Sequence, residues 1–309
     1  MALAAIRTEQ LTRDFDSVRA VDTVTFAVPA GAVFGFLGTN GAGKTTTIRL
    51  LLGLLEPTAG RAEVLGFDTR TQADEIRART GALLDYAGLY ERLTAEDNLT
   101  FYARIARMPG PARAKRIEDV LTHLGLWERR RDRVGTWSRG MKQKLAVARA
   151  LLHHPSLVFL DEPTAGLDPV AAAALRDDLA ALATREGATV FLTTHNLPEA
   201  EKLCSIVGVI RQGRLLAVGS PDELRAQSGH PRMEVIGRGF GDDVLRQLRR
   251  RPEVAGVSVE NGRLIVELAG TVDAAPLVRL LVYAGAEIEE VHRGSASLED
   301  AFLAIVEER

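Results

Sequence analysis

The residues best suited to chemistry in this sequence are small, cationic and acidic ones at fixed spacing. Gly38-Thr39-Asn40-Gly41-Ala42-Gly43-Lys44-Thr45 satisfies the pattern G-x-x-x-x-G-K-[ST], with Thr46 next in the chain. Small residues leave successive backbone N–H groups free to curl around a polyphosphate, and a helix after the loop adds the positive end of its dipole. Lys44 can then reach the β- and γ-phosphates, and the Thr45 hydroxyl is an oxygen ligand for Mg²⁺. Farther on, Asp161-Glu162 ends the apolar run Leu157-Val158-Phe159-Leu160. Ligands of open α/β sheets gather at the carboxyl ends of strands, where Asp161 can join a Mg²⁺ shell and Glu162 can polarise a water. Alone, such an acidic pair reads as a solvated strand end or a helix cap. Its partnership with the phosphate loop makes it a candidate site.

For these residues to meet, strands must end at them and helices must begin after them. Val33 to Leu37 is apolar and stops at Gly38, and Ile48, Leu51, Leu52 and Leu55 then follow helical spacing as far as Glu56-Pro57-Thr58-Ala59-Gly60. Alternating segments Ile6 to Leu11 and Val21 to Val28 precede them as strands. Asp97 to Arg133 reads as a helical insertion broken at Met108-Pro109-Gly110-Pro111. A helix over Met141 to Leu152, the buried strand Leu157 to Leu160, a helix over Val170 to Thr184 and a strand over Thr189 to Thr193 complete βαβ units of a parallel sheet. Ile206 to Ile210 and Arg214 to Val218 form a hairpin around Gln212-Gly213.

The polar stretch Gln227-Ser228-Gly229-His230-Pro231 reads as a linker to a second unit. The order there is strand Met233 to Ile236, helix Asp242 to Arg250, strand Val254 to Val259, turn Asn261-Gly262 and strand Leu264 to Leu268. Helix Ala274 to Ala284, strand Glu287 to Val291 and helix Leu298 to Glu307 follow, and βαββαβ with a final helix predicts a small ferredoxin-like α+β domain. The domains expected are therefore 1–226, with a helical subdomain over about 86–155, and 232–309.

Composition narrows the partners. A chain of 309 residues exceeds one hydrophobic core, and 46% hydrophobic with 26% charged residues excludes global disorder. Basic residues number 39 against 41 acidic ones, so the net charge of −2 gives the whole chain no pull toward nucleic acid or anionic lipid. Cys204 is the single cysteine, which excludes an intrachain disulfide or a multi-thiolate metal site and fits a cytosolic setting. No run approaches the roughly 20 apolar residues that span a bilayer. His123, His153, His154, His230 and His292 read as surface or satisfied core residues.

Trp137-Ser138-Arg139-Gly140-Met141-Lys142-Gln143-Lys144-Leu145-Ala146-Val147-Ala148-Arg149-Ala150-Leu151 resembles the signature sequence of ATP-binding cassette (ABC) ATPases. Asp161-Glu162-Pro163-Thr164-Ala165-Gly166-Leu167-Asp168-Pro169 is similar to their magnesium and catalytic-base segment joined to the D-loop. His195, after Val190-Phe191-Leu192-Thr193-Thr194, is similar to their switch histidine. The resemblance implies the ABC form of the P-loop NTPase fold, with ATP and Mg²⁺ as cofactors. It implies nucleotide binding by Gly38, Thr39, Asn40, Gly41, Ala42, Gly43, Lys44, Thr45 and Thr46, Mg²⁺ ligation by Thr45 and Asp161, Glu162 as catalytic base, and His195 on the γ-phosphate or the water. Phe15 stands at the adenine-stacking position; the other reading of its ring is a core phenylalanine. Ser138 and the Gly140 backbone would touch the γ-phosphate held by a second copy, in a head-to-tail dimer fastened in part by Asp168.

Departures from the family pattern carry their own expectations. Asp85 stands where most members have glutamine and is expected to be a Mg²⁺-linked sensor. Arg139 and Met141 replace glycine and glutamine of the signature; Arg139 either lends charge to the opposite γ-phosphate or faces solvent. Thr39 replaces a more frequent proline or histidine without removing a backbone donor. With Ser297-Leu298-Glu299-Asp300-Ala301-Phe302 near its end, the chain resembles the drug-export, daunorubicin-resistance branch of these ATPases. That branch implies an ATP-hydrolysing subunit, peripheral on the cytoplasmic face of the membrane, whose dimer closure drives a separate integral membrane permease, with no nucleic acid partner. The rival reading is a soluble or regulatory ABC-type ATPase outside transport.

Overall fold

The computed structural model describes residues 4–84, 87–227, 232–260, 262–269, 272–294 and 297–307, and its contacts divide into two compact units, Met1–Ser220 and Pro221–Arg309. The first unit opens with β1 (Ala4–Phe15) and β2 (Val18–Pro29), then β3 (Val33–Leu37), α1 (Lys44–Leu51), β4 (Ala59–Val64) and β5 (Phe67–Asp68). It continues through α2 (Ala73–Arg79), β6 (Thr80–Leu83), α3 (Ala95–Ile105), α4 (Gly110–His123), α5 (Arg139–Leu151) and β7 (Leu157–Asp161). It closes with α6 (Pro169–Glu186), β8 (Thr189–Thr194), α7 (Leu197–Leu203), β9 (Ile206–Arg211) and β10 (Arg214–Gly219).

The six-stranded sheet has the order β10-β9-β3-β8-β7-β6, and β10 is its antiparallel edge. From β9 to β6 neighbouring strands run parallel. Continuous apolar sequence is the reason: β7 and β8 are buried at every position, as strands covered on both faces must be. A second, antiparallel sheet, β2-β1-β4-β5, packs on the first through aromatic rings. Five of the ten phenylalanines meet there, and Phe26 of β2 stacks on Phe34 of β3 at 5.4 Å between centroids and on Phe191 of β8 at 6.1 Å.

In the second unit α8 (Pro221–Gln227) precedes β11 (Arg232–Arg238), α9 (Asp242–Arg249), β12 (Val254–Glu260), β13 (Arg263–Leu268), α10 (Ala275–Tyr283), β14 (Glu287–Gly294) and α11 (Leu298–Glu307). The sheet order β12-β13-β11-β14, antiparallel at each pairing, is the ferredoxin-like arrangement expected from βαββαβ. Met233, Val235, Leu264, Val266 and Leu268 alternate onto one face and pack with Val244, Leu248, Leu277 and Leu281 of α9 and α10.

Differences from the sequence expectation lie at boundaries. The first unit ends at Ser220 and not at 226, because α8 packs against α11 and so belongs with the second unit. The helix expected from Met141 begins at Arg139, because Ser138 is its N-cap and accepts a hydrogen bond from the Met141 N–H at 3.3 Å. After α4 the insertion is not continuous helix; it passes through short 3₁₀ turns at Trp127–Arg129 and Val134–Thr136. Asp85, Asn261 and most of the expected linker, 228–231, lie outside the described residues.

Candidate active site

Strand order makes the site. β8 lies between β3 and β7, with Leu37 opposite Thr194 and Asp161 opposite Thr193, so Gly38, Glu162 and His195 leave the sheet at the same edge. The loop between β3 and α1 is closed by glycine geometry. Gly43 has φ +104°, and a Cβ on it would lie 2.4 Å from the Ala20 carbonyl oxygen; one on Gly38 would lie 2.4 Å from that of Ile210. Side chains are excluded at both positions, which leaves backbone N–H groups to line the loop.

Lys44, at the start of α1, is buried, with 6% of its surface exposed. Its Nζ donates to the carbonyls of Gly38 at 2.7 Å and Thr39 at 3.1 Å and pairs with Glu162 Oε1 at 3.0 Å. These acceptors offset the cost of taking an ammonium out of water. The other Glu162 oxygen, Oε2, lies 2.6 Å from His195 Nδ1. Glu162 has φ +47°, a left-handed conformation uncommon for glutamate. That turn ends β7 and takes residue 162 out of strand alternation.

Asp161 faces the loop. Its Oδ2 accepts from Thr45 Oγ1 at 2.6 Å and its Oδ1 from Thr193 Oγ1 at 2.5 Å. The Thr193 hydroxyl also accepts from the Glu162 N–H at 3.0 Å, so one side chain of β8 fixes both acids. The Thr45 hydroxyl and the Asp161 carboxylate are hard oxygen donors, the type that fits Mg²⁺. Among the described residues no cluster of three His, Cys, Asp or Glu could hold a metal, so these two oxygens would be protein ligands in a shell completed by phosphate and water.

A cavity of about 640 Å³ opens over the loop, bounded by Asn40, Gly41, Gly43 to Thr46, Asp161 and Glu162 on one side and by Arg139, Lys142 and Gln143 of α5 on another. A volume of this order accommodates a small-molecule ligand. Phe15 is not on its wall; the ring is 38% exposed with the Arg13 guanidinium 4.6 Å from its centroid, so the core-phenylalanine reading is wrong. Ser138 and Gly140 also lie off the wall, at the N-terminus of α5. Asp168 caps α6, its Oδ1 accepting from the Ala171 N–H at 2.9 Å.

Some contacts could not be anticipated from the sequence. Arg139 is exposed, in line with the solvent-facing reading, but it is also tethered: its Nη2 donates to the Ala165 carbonyl at 3.0 Å, and its guanidinium lies against Gly166. Gln143 donates to the Pro163 carbonyl at 2.7 Å. Glu199 of α7, fully buried, accepts from Thr164 and Thr194. The available signal for Glu199 was an acid four residues after His195 at the start of a short helix; nothing in spacing pointed to its partners. Burial, with the Glu199 carboxylate adding to it, pushes the Cys204 thiol up, which keeps this single cysteine protonated and unsuited to nucleophilic work.

Comparison with known proteins agrees with this geometry. The ABC transporter family profile matches residues 21–165, and that of the "ATP-binding protein DrrA1-3-like, C-terminal domain" matches residues 219–306. The bacitracin transport ATP-binding protein BcrA of Bacillus licheniformis is 35% identical over 97% of this chain and 97% of its own length. The daunorubicin resistance ATP-binding protein DrrA3 of Streptomyces coeruleorubidus is 36% identical over 98% of this chain and 96% of its own. A solved ATP-binding subunit of an ABC transporter aligns with TM-score 0.65 and 31% identity, covering 72% of this chain and 92% of that one. This chain therefore belongs to the ATP-hydrolysing subunits of the ABC transporter family, and it carries a C-terminal domain of the DrrA kind.

Proposed function

We propose that the chain is the motor subunit of an exporter, working as a head-to-tail pair on the cytoplasmic face of a membrane against a separate integral membrane permease. The observation that carries this reading is the meeting of Lys44, Asp161, Glu162 and His195 at neighbouring strand ends above one phosphate-binding loop. Export and the permease come from what the relatives are named for, transport of bacitracin and resistance to daunorubicin. No described helix is long and apolar enough to cross a membrane, and in this reading a separate permease supplies the path for cargo. Leu93, Phe101, Ile105 and Tyr90, exposed apolar and aromatic side chains on and before α3, supply a surface for that partner.

The residues then have definite work. Backbone N–H groups of Gly41 to Thr45 cradle the polyphosphate, and the partly exposed Phe15 ring stacks on the adenine. Thr45 and Asp161 would hold Mg²⁺, which would supply charge neutralisation at the phosphate oxygens. An entering γ-phosphate draws Lys44 away from Glu162, which frees Oε1 to accept a proton from the attacking water. His195, fixed by Oε2, donates to the γ-phosphate. Asp85 would sense the metal, and Ser138 with the Gly140 N–H would complete the site of a second copy, whose closure excludes bulk water. Asp168 would fasten that closure.

Two measurements test the reading. Purified protein should release phosphate from ATP only with Mg²⁺, and detergent extraction should recover it with an integral membrane protein. Recovery of the active ATPase from the soluble fraction alone, free of any membrane protein, would support the non-transport reading instead.

A further inference from the structure

The hydrogen-bonded ladder between β7 and β8 stops at Asp161 opposite Thr193. Of the groups proposed to act on the attacking water, Glu162 is held at the ladder's end by its N–H, which donates to the Thr193 carbonyl at 3.1 Å, while His195 and the chain after Glu162 lie beyond it. Past the ladder the two segments are still bridged. Glu199 Oε2 accepts from Thr164 Oγ1 at 2.8 Å, two residues after Glu162, and from Thr194 Oγ1 at 2.9 Å, one residue before His195. The Thr194 hydroxyl in turn accepts from the Asn196 N–H at 2.9 Å, and Asn196 caps α7 by accepting from the Glu199 N–H at 3.2 Å. Glu199 is thus tied by its own backbone to the segment that carries His195, and by its side chain to the one that carries Glu162.

The placement is costly. Glu199 is fully buried, and its Oε1 makes no hydrogen bond among the described residues. A buried carboxyl that is only half satisfied destabilises a fold relative to an apolar side chain of similar volume. Ala200, the next residue of α7, is as fully buried as Glu199 and carries no polar group, so burial at this point of the helix does not itself call for an acid.

We propose that Glu199 is a positioning residue for hydrolysis: it spans the gap beyond the β7–β8 ladder and holds the Glu162 carboxylate against His195. It touches neither nucleotide nor water. A carboxyl is suited to this because one oxygen can receive both threonine hydroxyls, and its loss lets two chain segments drift by a fraction of an ångström to an ångström. Misplacement on that scale costs about 10²-fold in rate at a site that works by alignment. The inference rests on Glu162 and His195 having the roles proposed above.

The experiment is a double-mutant cycle on the full chain, reading steady-state kcat and KM for ATP together with nucleotide binding. Glu199→Ala should lower kcat by about 10-fold to 10²-fold, in line with the cost of misalignment, while KM and nucleotide affinity stay within about twofold. Glu199→Gln keeps a carbonyl oxygen that can receive both hydroxyls, and most of the rate should return. In a His195→Ala background Glu199→Ala should cost nothing further, because the contact it protects has gone. Thr164→Val removes one of the two donors, leaves the acid in place, and should reproduce part of the kcat loss; it serves if Glu199→Ala does not fold. Wild-type kcat in Glu199→Ala, or a full additive loss in the His195→Ala background, overturns the inference. Normal turnover in Glu162→Gln instead overturns the assignment beneath it, and the brace with it.

Discussion

In the first unit β3, β8 and β7 run parallel, so three chain segments leave the sheet at one edge, and a loop, an acidic pair and a histidine meet there. In the second unit neighbouring strands alternate in direction, which sends successive strand ends to opposite edges. The charges of the two units differ in the same way. Lys44, Asp161 and Glu199 are buried and tied to one another's segments by hydrogen bonds. Arg263 with Glu234, Arg232 with Asp300 and Arg238 with Glu289 are surface pairs, at 2.7, 3.3 and 3.8 Å. Strand direction, more than composition, decides which sheet gathers chemistry.

The contrast can be tested first where it is largest. Lys44→Ala removes the buried cation of the phosphate loop and should lower turnover by at least about 10²-fold with loss of nucleotide binding, whereas Arg263→Ala should leave turnover within about twofold. Phosphate release and binding of a fluorescent nucleotide would measure both. Equal losses in the two variants would erase the distinction. Next in size is packing: Leu264→Ala, at a fully buried position of β13, should cost about 2–5 kcal/mol of the second unit's stability by denaturant unfolding. Arg139→Ala comes third. It frees the Ala165 carbonyl from α5 and should lower kcat by several-fold with little change in stability, since an exposed hydrogen bond contributes about 1 kcal/mol or less. If Arg139→Ala changes KM alone, its guanidinium acts on nucleotide and not on the D-loop.

The smallest effect is on pH dependence. Burial holds the His153 imidazole below its ordinary value of 6.5, against a hydrogen bond from its Nε2 to the Thr80 carbonyl, while the Arg116 and His154 charges nearby act in the same direction as burial. The unfolded chain therefore binds a proton first as pH falls. Stability from neutral His153 is present above pH 6.5 and is lost as pH drops toward the folded value. Denaturant midpoints of the first unit should fall between pH 7 and pH 5, and less so in His153→Gln. His292, exposed beside Glu290 on β14, gives the second unit no such buried imidazole.

How much of this was written in the residue order depends on the range of the interaction. The ends of β3 and β7 and the start of α1 were legible because apolar runs, a glycine loop and helical spacing are local signals, and Val33–Leu37 and Leu298–Glu307 fall where the pattern put them. Pairing of Thr193 with both acids was not, because a threonine in a strand has the same local signature whether or not its hydroxyl is used. Arg139 shows the same limit. Its type suggested phosphate or solvent, and its partner proved to be a backbone carbonyl 26 residues away. The start of α5 was missed by two residues although Ser138 is a favoured N-cap, since the glycine at 140 weakened the helical pattern there. Membership of α8 in the second unit depends on its packing against α11, which no local pattern encodes.

The central claim is that the phosphate loop and the strand-end acids form one hydrolytic site in which Glu162 takes the proton from water. Steady-state phosphate release by Glu162→Gln, measured beside its ATP binding, tests this most directly. The account predicts retained ATP binding with turnover down by at least about 10²-fold, the scale of a lost general base. Wild-type turnover in that variant, or loss of ATP binding together with turnover, would contradict it.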